Sequence, residues 1–420
     1  MCRKMKDSGV EWIGKIPENW NVTKNKFVLD NIYSGGTPLT SESKFYTLEG
    51  IPFVSIKDMS KNAYIYETTK YITKEGVDSK KLKILPIGSI LYSIYATVGK
   101  VSELLIPSTI SQAIVHLKIN KSIDKTFYKY VLEAMEGSIL IEANGNTQFN
   151  LNADKIKNFI FPIVEMKDQK NIAYFLDNKI SKIDSTIEDN KKSIELLEEY
   201  KKEIINKSLM QENFKNYKLV RIKNTSYLKG RIGWQGLTTS DYKDEGVYLI
   251  TGTDFSDGSI NWDTCAHISY ERYEEDYNIH IEENDLLITK DGTIGKIAIV
   301  DKLKGETSLN SGVMLIRSNN EKLKYLNKYL YYILKSDIFW NWYNSEQKGN
   351  ATIKHLYQEQ FYNFKFSLPD LEEQNNIIKK LDKIIEKTDK VIEYRKQIIE
   401  KLEEYKKSLI YEAVTGKIEV

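Results

Sequence analysis

The sequence predicts an α+β protein built twice over: two similar α+β domains separated by two long antiparallel coiled-coil helices, with approximate two-fold symmetry. Three observations predict it. LEEYKK stands at residues 197–202 and again at 402–407, and at that constant offset of 205, residues 172–204 and 377–409 agree at 17 of 33 positions. Upstream, GIPFVSIKDM (50–59) aligns with GVYLITGTDF (246–255), and YATVGKV (95–101) with DGTIGKI (291–297), both at an offset of 196. Composition also alternates, because turn-rich stretches give way twice to runs free of Pro and Gly, at 168–210 and 373–414. Self-similarity at a fixed offset marks a duplicated structural unit.

Taken in order, residues 1–164 form the first domain, 165–212 the first long helix, 213–369 the second domain, and 370–420 the second helix with a short tail. In the domains, β-branched and aromatic runs such as IPFVSI, GSILYSIYATVGKV, GVYLIT and DLLITKDGTIGKIAIV are broken by Gly, Asn and Asp, which reads as strands and turns. A helical stretch follows late in each, around KTFYKYVLEAMEGSILIEA and KYLNKYLYYILKSDIFWNWYN. The long helices open after FPIVEMKDQ (161–169) and LPDLEEQ (368–374). Pro162 and Pro369 keep the preceding residue extended, and the acidic residues beyond them suit a helix amino terminus.

A seam runs along the first helix through Leu176, Ile180, Ile183, Ile187, Asn190, Ile194, Leu197, Lys201 and Ile204. Along the second it runs through Leu381, Ile385, Thr388, Ile392, Arg395, Ile399, Leu402, Lys406 and Leu409. The 4-3-4-3 spacing keeps one stripe toward a partner helix, and polar residues at matching places penalise wrong registers. Helices of this length span roughly 60 Å at about 1.5 Å per residue. Chain order therefore predicts a rod that carries the chain out to the second domain and back.

A length of 420 residues favours two or three domains, and 41% hydrophobic with 11% aromatic residues is enough for real cores. The longest uncharged run, residues 84–99, is too short for a membrane helix and is interrupted by Pro86 and Gly88. With no apolar leader at the amino terminus, a soluble cytoplasmic protein without membrane contact is expected. The two cysteines, Cys2 and Cys265, are too few for a disulfide framework or a cysteine zinc site. The net charge of +2 is not the strong basic signature of a nucleic-acid binder; only residues 1–164 lean basic, at a net +5, whereas 213–369 are neutral.

Catalytic signatures are missing. GTIGKI (292–297) and TVGKV (97–101) lack the spacing of a phosphate-binding loop and read as hairpin turns. There is no GxGxxG loop, and no two prolines are adjacent, which excludes the Pro-Pro-aromatic motif of amino-group DNA methyltransferases. His116, His267, His280 and His355 are scattered without ligand spacing, so no metal site is expected, and the chain reads as non-catalytic.

The residues resemble the specificity subunit of type I restriction-modification enzymes. The matching stretches are SGVEWIGKIPENWNV near the start, GGTP (35–38), EGIPFVSIKDM, the Pro-then-Glu-Gln helix entries, and LIYEAVTGKIEV at the end. The resemblance implies that the domains are target recognition domains and the helices conserved spacers that dock two methyltransferase subunits. The target would be double-stranded DNA with two half-sites, one per domain, across a gap; the rod corresponds to about 18 base pairs at 3.4 Å each. No cofactor is expected in this chain. S-adenosylmethionine is implied on the methyltransferase subunits, and ATP with Mg on motor-nuclease subunits. Divergent domains imply an asymmetric target. A coiled-coil adaptor with two protein-binding heads, or an autonomous DNA-binding protein without methyltransferase partners, are the alternatives.

DNA contact is expected from polar and cationic side chains on the equivalent turns. These are Lys57, Tyr95, Thr97 and Lys100 in the first domain, and Lys229, Arg231, Gln235, Lys290, Thr293 and Lys296 in the second. Arg and Lys suit guanine edges or phosphates, and Gln suits adenine. GGTP (35–38) and GNTQ (145–148) read as backbone turns.

Overall fold

The computed structural model describes residues 3–59, 63–95, 97–144, 151–209, 217–231, 237–346 and 355–420. The chain divides into two compact units, Met1–Asn190 with Gln397–Val420, and Lys191–Lys396. The division falls inside both long helices, Met166–Leu209 and Leu371–Val414, so each unit owns part of each.

Both units are α+β and repeat one strand order. In the first, Leu29–Ser34, Ile114–Ile119, Ile90–Ser93, Val101–Leu104 and Tyr64–Ile65 lie side by side in one sheet. In the second the order is Ser226–Gly230, Val313–Ser318, Leu286–Thr289 and Ile297–Ile299. A second sheet in each contains a parallel pair, Ile51–Val54 with Thr109–Ile110 and Val247–Ile250 with Thr307–Leu309. The uncharged runs read from the sequence as strands are the central ones: every residue of Ile90–Ser93 and of Leu286–Thr289 is buried. Burial on both faces is what selects continuous apolar runs over alternation.

Two-stranded ribbons, Asn21–Lys24 with Ile160–Ile163 and Lys218–Arg221 with Lys365–Leu368, deliver the chain to the long helices. Each entry is fixed by a fully buried glutamine. Gln169 Oε1 accepts the Asp124 N–H at 2.7 Å, while its Nε2 donates to Val164 O at 2.9 Å and Ser122 O at 3.3 Å. Gln374 repeats this with Leu326 N–H at 2.8 Å, Pro369 O at 2.9 Å and Lys324 O at 3.3 Å. These are the glutamines of the two Pro-then-Glu-Gln entries.

Within the first unit, Leu176, Ile180, Ile183 and Ile187 share a core with Leu409, Ile410, Ala413 and Val414, bordered by Ile399 and Leu402. Within the second, Ile205 and Leu209 share a core with Ile377 and Leu381, bordered by Ile385. Opposite ends of the two helices therefore meet in each unit, the pairing sense of an antiparallel seam. Ile392 is buried, and Ile194 and Leu197 are half-buried.

The polar seam positions make equivalent ion pairs, Lys406 with Asp184 at 2.7 Å and Lys201 with Asp389 at 2.6 Å. Burial alone would push the Lys201 ammonium down, but Asp389 and Glu198 outweigh it and hold it above its ordinary value. Half-exposed pairs of this kind contribute about 0–1 kcal/mol; their larger effect is to penalise a shifted register. The helix of each sheet domain also docks on a long helix through a tyrosine, Tyr130 to Asp177 at 2.8 Å and Tyr332 to Asp382. No helix among the described residues is long and apolar enough to cross a membrane.

Candidate nucleic-acid interface

The aligned YATVGKV and DGTIGKI stretches form the same hairpin. Strand Ile90–Ser93 pairs with Val101–Leu104, and Leu286–Thr289 with Ile297–Ile299. Each first strand ends on a buried hydroxyl residue, Ser93 or Thr289. The Thr289 hydroxyl donates to Thr293 O at 2.6 Å and accepts the Lys296 N–H at 2.9 Å. The Ser93 hydroxyl does the same with Thr97 O and with the Lys100 N–H at 2.8 Å. A hydroxyl inside the loop thus replaces the ladder that the turn interrupts.

A second turn is also shared. Ser55 N–H and its hydroxyl donate to Asp58 Oδ2 at 2.8 and 2.7 Å, as Thr251 does to Asp254 at 2.7 and 2.8 Å. Burial would raise the Asp58 carboxyl, yet the hydrogen bonds from Ser55 and Thr69 prevail and hold it below its ordinary value. Lys57 projects from this turn and is exposed.

The expected contact residues fall into distinct settings. Tyr95 and Thr97 are exposed on the first hairpin, whereas Lys100 reaches back to Glu136 at 2.8 Å. In the second hairpin Thr293 is exposed, and Lys296 Nζ donates to Gly252 O at 3.1 Å, joining the two turns. Lys290 lies over Gly230, beside half-exposed Lys229. Arg231 departs from the rest: at 1% exposure it lies inside the unit, its Nε donating to Leu309 O at 2.9 Å and its Nη2 to Ser308 Oγ at 3.1 Å. Burial, followed by the Arg272 charge, pushes its guanidinium down from the ordinary value. It does there what a backbone amide does in the first unit, where Gly36 N–H caps Ile110 O at 3.1 Å. Gln235 and GNTQ (145–148) lie outside the described residues.

Two side chains at this surface were not singled out from the sequence. Asp291 occupies the position of Tyr95 at the hairpin tip, and His355 Nδ1 donates to its Oδ1. The alignment of YATVGKV with DGTIGKI carried the first signal; nothing local carried the second. His280 stacks on Tyr273 at 3.6 Å between ring centres.

Comparison with known proteins gives a family from sequence and a fold from solved structures. The family model described as type I restriction modification DNA specificity domain matches residues 17–199 and 191–404. The chain is 25% identical over 435 aligned residues to the protein assigned as the type I restriction enzyme MjaX specificity subunit of Methanocaldococcus jannaschii, covering 97% of this chain and 96% of that one. It is 20% identical to the EcoBI specificity subunit of Escherichia coli, over 88% and 80% of the respective chains. In fold it matches a chain solved in work on the structural basis of "complex assembly and conformational transition of the type I R-M system", with a TM-score of 0.73, 14% identity, and 96% and 99% coverage. The HsdS subunit from Thermoanaerobacter tengcongensis matches with a TM-score of 0.52, 13% identity, and 96% and 98% coverage. A twice-matched specificity domain on a duplicated α+β fold leaves one conclusion: this chain belongs to the type I restriction-modification specificity subunits, the non-catalytic components that recognise DNA sequence.

Proposed function

We propose that the chain reads a bipartite, asymmetric double-stranded DNA target, one half-site per unit, and that its long helices dock two methyltransferase subunits. One observation carries this reading. The same hydroxyl-pinned hairpin occurs once in each unit, with matched frame residues but a different residue, Tyr95 or Asp291, at the tip. Equal frames suit equal roles, and unequal tips suit unequal base sequences, because sequence is read by side chains at base edges. The neutral second domain suits an assembly in which partner subunits supply much of the phosphate attraction. The chain itself would hold no cofactor; S-adenosylmethionine would sit on the methyltransferase subunits, and ATP with Mg on motor-nuclease subunits.

The test is exchange of residues 15–160 for the corresponding segment of another such chain, with co-expression of the methyltransferase and long-read detection of methylated motifs. One half of the motif should change and the other persist; a change in both halves would refute independent reading. The helices carry a second prediction. Removing one heptad from each at matched positions shortens each helix by roughly 10 Å at about 1.5 Å per residue. The gap between half-sites should contract by about three base pairs at 3.4 Å each, with both half-sites intact. An unchanged gap would show that the helices do not set the spacing.

A further inference from the structure

We infer that Asp291, oriented by His355, is a base-reading carboxylate that accepts the exocyclic amino group of cytosine or adenine in the half-site of the second unit. The inference rests on the proposed reading of one half-site per unit and names a residue that performs it.

Four observations converge. Asp291 stands at the tip of the hairpin, at the place Tyr95 holds in the first unit, so it is the position where two equal frames differ in chemistry. Its side chain is 37% exposed, and Oδ1 accepts from His355 Nδ1. Among the described residues Oδ2 accepts no hydrogen bond, so one lone-pair edge is committed and the other is available. Finally, the segment bearing His355 is tied to the hairpin by the Leu356 N–H, which donates to Lys290 O at 3.0 Å. The clamp therefore comes from backbone fixed to backbone, which is what presets a recognising side chain.

Electrostatics decides what such a group can take. A carboxylate repels phosphate, so Asp291 is no backbone contact. Lys290 and Lys296 in the same turn offset its charge and let the turn approach a duplex at all. In the major groove the donors facing an acceptor are the amino groups of cytosine and adenine, and carboxylates pair with the first of these. His355 acts as a positioning residue: by taking Oδ1 it selects which oxygen faces the groove.

The test uses the chain co-expressed with its methyltransferase subunits, with motifs read by long-read sequencing. The half-site of the second unit is the half that survives exchange of residues 15–160. Asp291→Ala should relax one position of that half-site, lowering its discrimination about tenfold, and leave the other half-site and the gap unchanged. Asp291→Asn separates the two sources. At a cytosine the preference should move toward adenine, which pairs with an amide; at an adenine it should persist. His355→Ala should relax the same position, and His355→Gln, whose amide can donate to Asp291, should restore it. An unchanged motif in both Asp291 variants, or relaxation in the other half-site, overturns the inference. If the exchange of residues 15–160 alters both halves, it is the one-half-site-per-unit reading that fails.

Discussion

Gln374→Leu should destabilise the second unit by about 3–5 kcal/mol, seen as faster proteolysis within residues 217–368. The side chain is fully buried and serves three backbone groups, the Leu326 N–H and the carbonyls of Pro369 and Lys324. Leucine is close in size, so packing changes little; the cost comes from stranding a buried donor and its acceptors, at about 1–3 kcal/mol for each unsatisfied group. The Lys324 contact is the longest at 3.3 Å and contributes least. Gln169→Leu should act equivalently on the first unit through Asp124, Val164 and Ser122. Because two units need not unfold together, the readout has to be local; a single midpoint is not well defined for such a chain. A variant as resistant to protease as the parent would show that the helix entry is fixed by something other than this glutamine.

The duplication, the α+β class and the long helices were legible because each rests on a repeated local pattern. The seam was legible for the same reason, though not to its end. Heptad counting places Ile204 on it, whereas Ile205 is the buried residue, at 6% exposure, and Ile204 is half-buried. Ile205 belongs to the core of the second unit that also holds Val220, Ile222 and Phe339, so the packing of that domain, which no heptad count reports, sets its burial. The hairpins were legible as turns, but what their side chains do was not. Arg231 reads as a surface cation because arginine usually is one. Its burial follows from a partner strand, Thr307–Leu309, that lies far along the chain and whose carbonyl needs a donor. Asp291 and His355 are 64 residues apart, and no periodicity connects them. Sequence pattern reports periodic local burial well and side-chain partnership across the fold poorly.

A graded glycine series should separate the hairpin frame from its tip. Gly295→Ala is the severe member. Gly295 has φ +80°, where a side chain costs about 1–2 kcal/mol, and a Cβ there would lie 2.5 Å from the indole of Trp340. That ring is wedged beside Phe339 and Tyr343, with centroids 5.5 and 5.8 Å away, so it cannot simply swing aside. Overpacking adds about 1–3 kcal/mol, enough to displace the tip that the proposed reading sets against base edges, where each pair is worth about 1–3 kcal/mol of discrimination. Gly292→Ala shares the left-handed backbone, at φ +67°, but meets nothing within 4 Å, so only the conformational cost remains. Gly99→Ala, in the first unit, is intermediate: its Cβ would sit 3.2 Å from Glu136 Cγ, a flexible side chain that can yield. With the co-expressed methyltransferase, Gly295→Ala should abolish methylation that depends on the half-site of the second unit, and Gly292→Ala should only weaken it. Gly99→Ala should impair the other half-site alone. Equal effects of Gly295→Ala and Gly292→Ala would mean that the Trp340 contact does not position the loop, and loss of one half-site from a substitution in the opposite unit would break the link between each hairpin and its own patch of DNA.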